Sequence, residues 1–181
     1  MKSVLISIRP DWCEKIINGQ KTVEIRKTRP KIATPFKCYI YCTTKELLAR
    51  SRDTAVIYRG GSLQNRDDQV LCGHVIGEFI CDWIKDFGLA YDGKYSGIDN
   101  IHGLSCLSFD EMYKYIGEGY GYGWRISDFA IYDKPIDICT FRKWCKENCE
   151  LCVLDYTRCS NSIPLERPPQ SWCYVQERYF I

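Results

Sequence analysis

The helical periods in this sequence are short, and they interrupt a series of β-rich segments that recur along the chain. Residues 3–8 have strand composition. Pro10 then suits the first turn of a helix, with Asp11 and Glu14 in or near that turn. Trp12/Ile16 and Cys13/Ile17 are four apart and Gly19 is a stop, so a helix is predicted over 10–18. Lys21 to Arg26 alternates as a strand, with Val23 and Ile25 on one face and Thr22, Glu24 and Arg26 on the other. Phe36 to Cys42 is apolar on both faces and reads as an interior strand. Thr43 and Glu46 form a capping box for a short helix through Leu47 and Leu48, and Arg59 to Asp68 reads as an exposed loop.

Val70 to Ile84 reads as another strand, and its Gly73 and Gly77 mark a bulge or bend. Ser108 and Glu111 cap a helix that ends at Gly117, and a strand is expected over 122–132. Glycine-bent strands separated by short helices predict an α+β chain built on a small β-barrel. A doubly wound parallel sheet would need longer helices. The expected organisation is one domain over 1–181, with a Cys-rich insertion at 143–162 before the last strand.

No apolar run approaches the ~20 residues that span a bilayer. The amino-terminal apolar stretch meets Arg9 and Pro10 too early for a signal peptide, so the expectation is a soluble, cytoplasmic protein without a membrane partner. Net charge is +2, but residues 1–60 hold 13 Lys/Arg against 5 Asp/Glu while residues 61–181 hold 12 against 18. That asymmetry fits a basic face for phosphates, or chance clustering on a solvated surface.

Twelve cysteines in such a setting favour reduced thiols or metal ligands over disulfides. Eight are scattered in mostly apolar surroundings, where Cys packs as a small hydrophobe. Cys145, Cys149, Cys152 and Cys159 crowd together and could hold one structural zinc, or stand as four reduced thiols. No organic cofactor is expected. His74 and His102 belong to no recognisable motif.

The most specific pattern is Gly19-x-Lys21-x-x-Glu24-x-Arg26. Glu24 and Arg26, two apart on one strand face, lie about 7 Å apart by strand rise. They can pair, or can jointly offer an acceptor and a fork of donors to a planar ligand such as a nucleobase. A solvent-exposed strand face is the plainer alternative. Lys21 and Arg26 can bind phosphate, with Lys27, Arg29 and Lys31 extending the positive charge. Trp12, Trp124 or Trp172 could stack a base.

Together with Ser7-Ile8-Arg9-Pro10-x-Trp12, this run resembles the opening of the ASCH superfamily. So do Tyr39-Ile40-Tyr41-Cys42-Thr43, Val75-Ile76-Gly77-Glu78-Phe79, Gly123-Trp124-x-Ile126 and Arg167-Pro168-Pro169-Gln170-Ser171-Trp172. The resemblance implies a PUA-like small β-barrel associated with RNA. It implies a cleft for RNA, a nucleotide or a modified nucleoside, for which the candidate residues are Arg9, Trp12, Lys21, Glu24, Arg26, Lys27, Thr43, Trp124 and Ser171. One branch of the superfamily is a small amidohydrolase acting on acetylcytidine, with Thr three residues after its Lys. Glu24 stands at that position here, which weakens the implied activity. A hydrolase would have to use Glu24 as a general base on water and Lys21 as electrostatic stabiliser. A third reading is a protein-interaction module whose basic face meets an acidic partner.

Overall fold

Two segments with apolar residues on both faces, β1 (Lys2–Ile8) and β3 (Phe36–Cys42), lie side by side at the centre of the larger sheet. They run parallel, from Val4 opposite Cys38 to Ile8 opposite Cys42. A parallel pair requires a crossover, and residues 9–35 supply it. That crossover carries α1 (Pro10–Ile17) and β2 (Val23–Arg26), the two elements that build the candidate site. The computed structural model describes residues 1–43, 56–57, 63–64, 71–90, 93–145, 149 and 162–177. The predicted capping box and helix at 43–48, most of the loop at 59–68 and most of the 143–162 insertion lie outside the described residues.

The remaining strands are β4 (Val56–Ile57), β5 (Leu63–Gln64), β6 (Val75–Cys81), β7 (Ile84–Leu89), β8 (Tyr95–Ser96), β9 (Tyr120–Arg125), β10 (Ser127–Ile136) and β11 (Trp172–Gln176). The larger sheet has the order β10-β6-β3-β1-β11, and the second has the order β2-β9-β7-β8. β4 and β5 pair only with each other. The short helices α2 (Ile101–Ser105) and α3 (Phe109–Ile116) pack on the second sheet. The chain is therefore α+β with two principal sheets, and among the described residues the strand pairings do not close a barrel.

Alternation on β1 and β3 sorts their side chains into two cores. Val4, Ile6, Ile8, Cys38, Ile40 and Cys42 pack with Cys13 and Ile16 of α1 and with Trp124. Leu5, Tyr39 and Tyr41 face the other way, onto Ile138, Phe141 and Val175. A third core, under the second sheet, joins Val23 and Ile25 to Phe87, Met112 and Ile116.

Two predicted strands are each two strands. The 70–84 segment breaks after Cys81, and the 122–132 segment breaks at Ile126; in both, the halves enter different sheets. The breaks coincide because one corner serves both. Arg125 N–H donates to the Trp83 carbonyl at 3.1 Å, and Ile126 N–H to that of Thr22 at 2.8 Å. A continuous apolar pattern across the corner hides it, since both sheets contribute to a core. Gly73, with φ 90°, lies in the turn before β6 rather than inside a strand. Gly77 does lie inside β6, beside an irregular stretch of β10. The helix at Ser108 forms with both halves of its capping box, and α2 had no comparable signal.

A Cβ at Gly77 would collide with the backbone carbonyl oxygen of Ala130, which no rotamer change can relieve. Gly77→Ala should therefore lower stability by about 1–3 kcal/mol, in line with other overpacked interiors. Urea denaturation checks this, and an unchanged midpoint would contradict it.

Candidate functional site

The polar face of β2 is not a solvated strand face. Lys21 is 2% exposed, Glu24 7% and Arg26 6%. Glu24 and Arg26 share a face of β2, as alternation requires, but Lys21 three residues before Glu24 would fall on the opposite face of a continuous strand. It does not, because the strand begins only at Val23. Gln20 and Lys21 N–H both donate to the Lys15 carbonyl, at 2.9 and 3.0 Å, so the chain leaves α1 in a tight turn. The turn brings Lys21 alongside Glu24.

The carboxylate of Glu24 is then held from both sides. Lys21 Nζ lies 3.2 Å from Oε2, and an Arg26 terminal nitrogen 2.9 Å from Oε1. Lys21 Nζ also donates to the Ser105 carbonyl at 2.8 Å and lies 5.3 Å from the centre of the Trp12 ring. Arg26 donates to the Ser7 carbonyl at 2.7 Å and to Ser171 Oγ at 3.2 Å. Ser7 in turn fixes the 169–171 segment, its N–H donating to the Ser171 carbonyl and its hydroxyl to that of Pro169.

Three polar atoms in this region are buried without a hydrogen-bond partner among the described residues: Arg26 Nε, Trp124 Nε1 and Thr43 Oγ1. The first two can only donate. Trp124 stands opposite Glu24 in the β2–β9 register, and Thr43 follows β3 with its N–H on the Ile8 carbonyl. Two cations against one carboxylate, with two donor-only atoms unused, make a site short of acceptors.

No protein-family model matches the sequence, and no curated protein matches it at a significant level. Solved structures do match. The crystal structure of ASCH from Zymomonas mobilis aligns with a TM-score of 0.56 at 19% identity, over 97% of this chain and 88% of that one. A Tyr-to-Phe variant of the same protein gives a TM-score of 0.57 at 19% identity, over 98% and 92% of the two chains. A Ser-to-Ala variant gives 0.55 at 18% identity, over 97% and 89%. The chain has an ASCH-type fold.

Within this ASCH-type fold, direct contacts join five of the sequence-predicted residues: Trp12, Lys21, Glu24, Arg26 and Ser171. Trp124 is beside them but fully buried, packed edge-on against Phe36 and 5.7 Å from the Trp172 ring, so it is a core side chain rather than an exposed stacking platform. Arg9 caps α1 from an exposed position, and Lys27 is also exposed. Ser7 and Ser105 were not foreseen. They enter through backbone carbonyls, which leave no trace in side-chain pattern. Thr22, the hydroxyl residue within the motif, precedes β2, where its N–H donates to the Leu104 carbonyl at 2.9 Å.

Burial disfavours the thiolate at several of the described cysteines. Cys13, Cys38, Cys42, Cys72 and Cys81 are buried, as their apolar settings predict. Burial, and then the neighbouring Cys81, holds the Cys38 thiol well above its ordinary range despite the opposing charge of Arg26. Burial and the Asp82 charge push Cys81 up to about 12. Of the four clustered cysteines, Cys145 is buried and Cys149 half-buried, while Cys152 and Cys159 lie outside the described residues. Among the described residues no group of three or more His, Cys, Asp or Glu is placed to hold a metal. Among them, too, no helix is long and apolar enough to cross a membrane.

Removing the charge of Glu24 would leave two cations buried without a counter-ion, whereas removing Lys21 leaves the Glu24–Arg26 pair intact. Glu24→Gln should therefore cost about 3–5 kcal/mol, and Lys21→Met clearly less. Thermal and urea melts of the two variants test the order, and a Glu24→Gln variant as stable as Lys21→Met would contradict it.

Proposed function

We propose that the chain binds RNA or a nucleotide at the site built on Lys21, Glu24 and Arg26. The observation that carries this reading is the set of buried polar atoms without a partner among the described residues, Arg26 Nε, Trp124 Nε1 and Thr43 Oγ1, beside a cluster with one excess positive charge. An unpaired buried polar atom costs about 1–3 kcal/mol, a cost that a ligand rich in acceptors removes. A nucleobase, with its ring nitrogens and carbonyl oxygens, is such a ligand. The ASCH-type fold and the basic amino-terminal third agree with this reading.

In this reading Glu24 is a positioning residue. With both oxygens engaged by cations, it orients the Arg26 guanidinium and is poorly placed to take a proton from water. The hydrolase alternative, with Lys21 and Glu24 as catalytic residues, therefore has less support. We further read the chain as one cytoplasmic domain over 1–181, its two sheets forming the walls of a PUA-like small barrel. Cys145, Cys149, Cys152 and Cys159 remain the proposed ligands of one structural zinc. Elemental analysis of protein purified without added zinc should give one metal per chain, and a ratio near zero would refute that part.

Thr43→Val separates binding from folding. The change keeps shape and removes a hydroxyl with no partner among the described residues, so stability should stay within about 0.5 kcal/mol or rise. If that hydroxyl meets ligand, nucleotide affinity should drop by about five- to tenfold, as expected for one lost hydrogen bond. Tryptophan fluorescence titration with ribonucleoside monophosphates measures it, and equal affinity in a folded variant would count against Thr43 as part of the site.

A further inference from the structure

We infer that the loop at 27–31 is a phosphate-contacting rim, so that the partner is a single-stranded nucleic acid rather than a free nucleoside. This rests on the nucleotide-binding reading and extends it. Lys21 and Arg26 are buried and already held by Glu24, Ser105, Ser7 and Ser171. A phosphate backbone, which needs accessible and uncompensated cations, has to be met elsewhere.

The chain supplies such cations immediately after the buried site. Lys27, Arg29 and Lys31 are all exposed, and among the described residues none of them is in an ion pair. From Ile25 to Lys45 the sequence contains no Asp or Glu, so the loop has no carboxylate of its own to neutralise it. Two of the three cations also rest against aromatic rings. Lys27 Nζ lies 5.5 Å from the Tyr115 ring centre, and the Arg29 guanidinium 5.7 Å from that of Tyr122. The loop backbone is tied down as well. Thr28 Oγ1 accepts from Trp172 Nε1 at 3.0 Å, Lys31 N–H donates to the Tyr174 hydroxyl at 2.6 Å, and Pro30 is buried. A cation held over an aromatic face has less freedom to lose when a phosphate arrives.

The rim and the buried site are continuous. Tyr122, beneath Arg29, stands opposite Arg26 in the sheet register, and Trp172 follows the Ser171 that receives Arg26. A strand crossing the loop can thus place phosphates on Lys27, Arg29 and Lys31 while one nucleotide reaches the acceptor-poor site. Half-exposed rings beside the cations favour unpaired bases, which can stack, over a duplex, whose bases are covered. Phosphate contacts do not read the 2′-hydroxyl, so the rim contributes equally with RNA and DNA.

The test compares wild type with the Lys27→Gln/Arg29→Gln/Lys31→Gln variant. A labelled oligonucleotide of about ten nucleotides, as RNA and as DNA, is titrated by fluorescence anisotropy over a salt series. Ribonucleoside monophosphates are titrated in parallel by tryptophan fluorescence. For single strands each phosphate contact contributes about 0.7 to the slope of log affinity against log salt, so the triple variant should lose about 2 from that slope. Its oligonucleotide affinity at low salt should fall at least tenfold, and by a larger factor than its mononucleotide affinity. An unchanged slope in the folded variant overturns the rim while leaving the nucleotide site standing. Equally tight binding of polyglutamate by wild type would also overturn it, in favour of an acidic protein partner. Wild type that binds the monophosphates but neither oligonucleotide overturns the rim alone, and wild type that binds none of these probes brings down the underlying reading with it.

Discussion

A buried carboxylate clasped by two cations fixes the geometry of the crossover between β1 and β3. Glu24 cannot leave the interior without stranding Lys21 and Arg26, whereas either cation alone would still balance its charge. The cluster therefore locks three things together: the turn out of α1, the register of β2 against β9, and the approach of the 169–171 segment to β1. Such clusters are poor sources of net stability compared with apolar packing, because desolvation offsets the attraction. What this one provides is orientation, and the guanidinium of Arg26 is the group most tightly oriented.

Local structure was legible wherever a single element determined it. The Pro10 start and Gly19 stop bracket α1, and the Ser108/Glu111 pair caps α3 as its spacing requires. The interior character of Phe36–Cys42 follows from its apolar residues on both faces. What sequence could not convey was partition between sheets. Cys81 to Ile84 and Arg125 to Ser127 read as continuous strand, because a residue buried in either sheet looks the same to a hydrophobic pattern. The site was legible in part for the same reason. Lys21, Glu24 and Arg26 stand out as charged residues in a β-rich segment, but whether that face meets water or protein depends on 105 and 171, far along the chain. Burial turned what looked like an open basic surface into an internal brace, and left the exposed positive charge to the residues that follow it.

The brace also divides its contacts by distance along the chain. Lys21, Glu24 and Arg26 are close neighbours in sequence, so they can neutralise one another as soon as that stretch has been synthesised. The contacts that give Arg26 its direction come from the Ser7 carbonyl and from Ser171, the latter 145 residues away. During vectorial synthesis the segment's charge can be balanced early, whereas its aim waits for β11 to dock beside β1. Folding rates fall as contacts become more distant, so the orientation of Arg26 should be among the last features to mature. A nascent chain would thus hold these charges in balance well before it could aim the guanidinium, and that aim would be a property of the finished protein alone.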